Sequence, residues 1–195
     1  MTRTSTGGTA AGDSGISSDF GRSHRGRATF LLQEGVRHPP WYYILMPISK
    51  TIQETHNIAK EFVNSLKPNS HKATIVALQG DLGSGKTAFV QGMAQALGIT
   101  GSVLSPTFVL QKIYSLENKK FKHLIHIDAY RMESVHELNH IGWHELIKDP
   151  ENLVCIEWPE RVKEEIPQDT IFVQCKFIDE ETHAYDFPAD FGIIS

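Results

Sequence analysis

Apolar positions recur along this chain with two periods, and the alternation between them sets the expected architecture. Over residues 51–66, Ile52, Ile58, Ala59, Phe62 and Val63 roughly follow helical spacing, with Ser49 placed to cap the helix and Pro68 and Asn69 to end it. Residues 72–79 read as a buried strand, and residues 87–97 return to a helical pattern that stops at Gly98. Two strands are expected over residues 106–115 and 120–128, around a turn at Glu117-Asn118-Lys119. A short helical region over 134–148 is interrupted at Gly142, residues 152–157 read as another apolar strand, and residues 169–177 and 183–187 as a closing antiparallel pair. Strands alternating with helices and then giving way to hairpins predict an α/β fold of three layers around a mixed, mainly parallel sheet.

The junction between the first strong strand and its helix carries the most specific chemistry. Gly80-Asp81-Leu82-Gly83-Ser84-Gly85-Lys86-Thr87 fits G-x-x-x-x-G-K-[ST], the phosphate-binding loop of P-loop nucleotidases. Glycines let the backbone turn tightly and aim its N–H groups at a phosphate chain. Lys86 adds a mobile cation for the β- and γ-phosphates, Thr87 offers a hydroxyl to Mg²⁺, and the following helix points its positive end at the anion. The pattern therefore narrows the fold to a three-layer P-loop NTPase-like domain.

A chain of 195 residues, 40% of them hydrophobic, suits one domain plus a tail and can bury a real core. Residues 1–27 are rich in Gly, Ser, Thr and Arg without hydrophobic period and read as disordered. Residues 1–45 are thus expected to be a leader or non-native extension ahead of a P-loop domain at 46–195. A transit peptide is the alternative, disfavoured because no amphipathic period is visible. Residues 46–195 hold 14 basic and 20 acidic residues, a net of −6 and a poor footprint for gripping nucleic acid unaided. The longest apolar run, residues 41–46, is far too short to span a membrane. Cys155 and Cys175 lie in apolar runs and read as reduced core thiols of a cytoplasmic protein.

A P-loop needs acidic groups at strand ends to hold Mg²⁺ and position water. Asp128 closes the run His123-Leu-Ile-His-Ile-Asp128, and Glu157 closes Leu153-Val-Cys-Ile-Glu157, a Walker B-like strand. A carboxylate ending a buried parallel strand emerges where ligands lie in open α/β sheets. Thr107, in Ser105-Pro-Thr-Phe108, reads either as a strand-start residue or as a hydroxyl presented to the metal from a switch-like segment. His136-Glu-Leu-Asn-His140 matches the zinc-protease pattern H-E-x-x-H, but a third ligand is missing at the metzincin position and Gly142 shortens the helix. The histidines at 136, 140 and 144 are expected to line a partly solvated face. Asn118-Lys-Lys-Phe121 lacks the Asp of the guanine-reading N-K-x-D motif, which favours ATP over GTP. A P-loop kinase of a small metabolite is a competing reading, set against by the scarcity of arginines for a lid: Arg131 and Arg161 stand well apart. A nucleotide-sensing module without useful hydrolysis is another.

Four segments together resemble the TsaE (YjeE) family, the ATPase of bacterial tRNA threonylcarbamoyladenosine biosynthesis: Gly80 to Thr87, Ser105-Pro-Thr107, His126-Ile-Asp-Ala-Tyr-Arg131 and Ile156-Glu-Trp-Pro-Glu-Arg161. Gln53-Glu-Thr55 resembles the family's opening helix, and the likeness spans about residues 46–190. The resemblance implies a small P-loop ATPase with ATP and Mg²⁺ as ligands. Its implied partners are TsaD and TsaB, with tRNA reached only through that assembly and the threonylcarbamoyl transfer done by others. It further implies that Lys86 binds phosphate, that Thr87, Thr107 and Glu157 approach Mg²⁺, and that Asp128 and Glu157 share metal and water positioning. Trp158 matches a family tryptophan, as an aromatic wall near nucleotide or partner, or as core.

Overall fold

The structure is a computed structural model and describes residues 46–101, 103–117 and 120–188; the expected leader lies outside them. The first described element is one the sequence does not announce, the two-residue strand β1 (Ile48–Ser49). Ser49 is therefore not the helix cap expected of it. Its buried hydroxyl meets that of Thr55 at 2.8 Å. The cap is Thr51, whose side chain accepts from the Glu54 amide, while the Glu54 carboxylate reaches back to the Lys50 amide at 2.7 Å. Helix α1 (Ile52–Ser65) then buries Thr55, Ala59, Phe62 and Val63, the stripe its spacing predicts.

Strand β2 (Thr74–Gln79) runs into the glycine-rich loop and helix α2 (Lys86–Ala96). Strands β3 (Gln111–Ser115) and β4 (His123–Asp128) pair antiparallel as expected, with Asn118 and Lys119 of the expected turn outside the described residues, but β3 starts later than predicted. Residues 106–110 instead make a hydrogen-bonded turn: the Val109 and Leu110 amides both donate to the Pro106 carbonyl, and Leu110 takes φ 63°. Helices α3 (His136–His140) and α4 (Trp143–Leu146) are separated at Gly142, which has φ 76°. Strand β5 (Asn152–Glu157), a 3-10 segment over Pro159–Glu165, and strands β6 (Ile171–Phe177) and β7 (His183–Asp186) complete the fold.

The strands form one seven-stranded sheet in the order β1-β7-β6-β2-β5-β4-β3. The four central strands, β6, β2, β5 and β4, are mutually parallel, and the pairings outside them are antiparallel. This is the α/β mixed, mainly parallel sheet the sequence predicts. On one face, α1 and α2 close a core that includes Phe62, Phe89, Val76, Leu78, Cys155 and Tyr185. On the other, Trp143, Leu138, Met132 and Val162 cover Ala77, Ile125, Ile127, Val154 and Ile156. Sheet residues alternate between these clusters, so β2 and β5 are buried on both sides and read as unbroken apolar runs. Both cysteines are free and buried, and burial holds their thiols above the usual cysteine range.

Candidate active site

The loop after β2 is shaped by what surrounds it. At Gly80, with φ 141°, a Cβ would lie 2.0 Å from the carbonyl oxygen of Cys175 on neighbouring β6, so no side chain fits there. Gly85 caps α2 in the left-handed region, and a Cβ there would lie 2.6 Å from the Tyr185 hydroxyl. The helix start has no side-chain cap, which leaves its first N–H groups for an external acceptor. Asp81, Leu82 and Gly83 form the exposed tip of the loop, with the Gly83 carbonyl 3.0 Å from Nε2 of His183, while Ser84 is buried beneath it.

Lys86 folds back under this loop. Its ammonium donates to the carbonyls of Gly80 (2.7 Å) and Asp81 (2.8 Å), approaches Oγ of Ser84 at 3.4 Å, and lies 3.8 Å from the Trp158 ring centroid. Desolvation lowers its pKa below the ordinary lysine value, opposed by the nearby charges of Glu157, Glu160 and Asp128. Trp158 presents its ring to that ammonium from a left-handed backbone (φ 59°), a conformation rare for a bulky residue, and the ring also packs on Tyr130 at 5.0 Å and against the second core cluster. The 3-10 segment starts directly after it, at Pro159.

Two hydroxyl–carboxylate pairs stand beside the loop. Thr87 donates to both carboxylate oxygens of Glu157, each at 2.9 Å, and the second partner of that carboxylate is Nε2 of His126, 2.7 Å from Oε1. Asp128 accepts through Oδ2 from the hydroxyls of Ser105 (2.7 Å) and Thr107, and through Oδ1 from the Tyr130 amide (3.0 Å). Asp128 and Glu157 are register partners at the ends of parallel strands β4 and β5, so the sheet itself sets the two carboxylates side by side. Both are almost fully buried. The hydrogen bonds thus join Thr107 to Asp128, whereas Thr87 is joined to Glu157. His126, Ser105 and Tyr130 are partners that no motif assigned a role. For His126 a signal existed: a polar residue between Leu124 and Asp128 on the same side of an apolar strand.

The second metal pattern assembles nothing comparable. In α3, Glu137 accepts from the amides of Glu133 and Ser134 and so caps its own helix. His136, His140 and His144 are exposed, as the sequence leads one to expect. Among the described residues no group of three or more His, Cys, Asp or Glu is arranged to hold a metal ion. Hard oxygen donors, as in the Thr87–Glu157 pair, are the kind Mg²⁺ takes, and the neighbouring Lys86 and free helix N-terminus fit a phosphate chain.

A protein-family model described as threonylcarbamoyl adenosine biosynthesis protein TsaE matches residues 49–184, from β1 into β7. The chain belongs to the TsaE family. Relatives named tRNA threonylcarbamoyladenosine biosynthesis protein TsaE include those of Borreliella burgdorferi and Rickettsia typhi. The first is 40% identical over 50% of this chain and 69% of its own length. The second is 38% identical over 65% and 83%, and that of Bacillus subtilis is 35% identical over 70% and 80%. Among solved structures, Bacillus subtilis YdiB aligns with a TM-score of 0.57 at 28% identity, covering 73% of this chain and 83% of that one. The TsaE match takes in every site residue described above except Tyr185 and adds the sequence context that the loop motif alone lacks. Among the described residues no helix is long and apolar enough to cross a membrane.

Proposed function

We propose that this chain binds ATP with Mg²⁺ at the Gly80–Thr87 loop and hydrolyses it to ADP and phosphate. In this reading it serves threonylcarbamoyladenosine formation on tRNA together with TsaD and TsaB, does not itself transfer the threonylcarbamoyl group, and meets tRNA only through that assembly. The observation that carries the reading is the Thr87 hydroxyl on the Glu157 carboxylate beside the buried Lys86.

Lys86 is held by neutral carbonyls and a ring face, partners weaker than a phosphate anion, so it binds phosphate in exchange for the Gly80 and Asp81 oxygens. The loop amides and the uncapped start of α2 bind the same anion. Thr87 and Glu157, with Thr107 from the switch-like segment, hold Mg²⁺, which when bound neutralises charge on the phosphates. Asp128 and Glu157 orient the attacking water, Asp128 being fixed by Ser105, Thr107 and the Tyr130 amide. Trp158 walls the phosphate side and keeps Lys86 out of bulk water.

The test is MgATP hydrolysis by the full chain, with and without TsaD and TsaB, using Lys86→Ala as the blank. Turnover that rises with the partners and vanishes in the variant is the expected result. Tight ATP binding without turnover in either mixture would overturn the hydrolytic reading in favour of a nucleotide sensor.

A further inference from the structure

We propose that His126 is a positioning residue for Glu157: its Nε2 engages one carboxylate oxygen, Oε1, and so turns the other toward Thr87 and the nucleotide site. The proposal rests on the reading that Mg²⁺ and ATP bind here, and it adds a residue to which neither the loop motif nor the Walker B-like strand assigns a role.

The geometry points to selection rather than mere contact. Thr87 lies 2.9 Å from both Oε1 and Oε2, so it does not distinguish the two oxygens. His126 does, because it meets Oε1 alone, at 2.7 Å. A carboxylate only accepts, so Nε2 is the donor in this bond, and the bond fixes the orientation of the ring. The lock is built into the sheet. His126 sits on β4 opposite Cys155 of β5, one register step of two residues below the Asp128–Glu157 pair, and on the same side of β4 as Asp128. Its side chain is fully buried, so bulk water does not replace the bond. Its Nδ1 is buried without a partner among the described residues. A histidine kept only for packing is poorly served by such a place, since an apolar side chain would fill it without an orphaned ring nitrogen. The Nε2–H bond to Glu157 is what the imidazole supplies and Leu does not. Oε2 is then turned toward Thr87, the second residue of α2, the side on which the phosphate loop lies.

The experiment compares His126→Leu and His126→Gln with the wild-type full chain. Gln carries an amide N–H near the position of Nε2; Leu carries no donor. Two quantities are read: the gain in affinity for a fluorescent ATP analogue on adding Mg²⁺, and partner-stimulated kcat against KM. In His126→Leu, affinity without Mg²⁺ stays close to wild type while the Mg²⁺-dependent gain falls by about 10- to 100-fold, and kcat falls with it. His126→Gln recovers most of both. Equal behaviour of Leu and Gln variants, or a Leu variant with an unchanged Mg²⁺ response, would overturn the proposal and leave His126 as core. If the Leu variant does not fold, His126→Gln against His126→Asn makes the same comparison, because Asn is too short to reach Oε1. Wild-type chain that shows the Mg²⁺-dependent gain but no hydrolysis ends the ATPase reading while this comparison still decides the role of His126. A wild-type chain with no Mg²⁺-dependent gain overturns the positioning role directly.

Discussion

Two segments of this chain match chemistry-bearing patterns, the loop at Gly80–Thr87 and the H-E-x-x-H run at His136–His140, and the fold treats them in opposite ways. The first lies between a doubly buried strand and an 11-residue helix, where Lys86, Glu157, Asp128 and His126 are all at most 5% exposed and each is hydrogen-bonded within the site. The second lies on a five-residue helix with both histidines in solvent and its glutamate engaged in capping. A pattern of residue types thus becomes a site only when rigid neighbours bring further groups to it. Here the neighbours are β4, β5 and β6, each parallel to its neighbour and each contributing at its C-terminal end.

The contrast is sharpest in activity. Lys86→Ala and Glu157→Gln are each expected to lower partner-stimulated ATP hydrolysis by about 100-fold or more, read as phosphate release. If either variant kept wild-type rates, the buried cluster would not be the reacting centre. Next comes stability at two of the positive-φ glycines, Gly80 and Gly142. Gly80→Ala drives a methyl into the Cys175 carbonyl and is expected to cost about 3 kcal/mol or more, seen as a fall in Tm of about 6–12 °C. Gly142→Ala, whose Cβ would meet nothing within 4 Å, carries backbone strain alone, about 1 kcal/mol. Glu137→Ala, which removes the carboxylate accepting two amides, is expected to cost about 1 kcal/mol by thermal unfolding without change in hydrolysis. Smallest of all is the double change His136→Ala with His140→Ala. Stability and hydrolysis are expected to stay within about 0.5 kcal/mol of wild type, and a large loss of either would restore the second pattern as a site.

The elements that carry the loop and both strand-end carboxylates are legible in the sequence because they rest on local signals. A run apolar on both faces gives β2 and β5, and a loop motif at a strand–helix junction gives the start of α2. What is not legible depends on partners distant along the chain. The two residues of β1 have no period of their own and become a strand only by pairing with β7. The 106–110 turn hides in an apolar stretch that looks extended, and its bend depends on Leu110 entering the left-handed region, which sequence does not favour for leucine. Trp158 is another such residue, held under Tyr130 and over Lys86. The bond from His126 to Glu157 follows from strand order, because β4 must lie beside β5 for the two to meet.

The position of β2 has a consequence for how the molecule is made. This strand pairs with β5 on one side and β6 on the other, so the segment carrying the phosphate loop leaves the ribosome long before either neighbour exists. A nascent chain that ends before Ile171 already holds the complete eight-residue motif, yet lacks the Cys175 carbonyl that bounds Gly80, the Tyr185 hydroxyl behind Gly85 and the His183 ring beside Gly83. Such long-range pairing is slow to form and cannot be completed in order of synthesis. The final shape of the loop therefore waits on β6 and β7: a chain that stops before Ile171 carries the motif without the groups that bound its glycines.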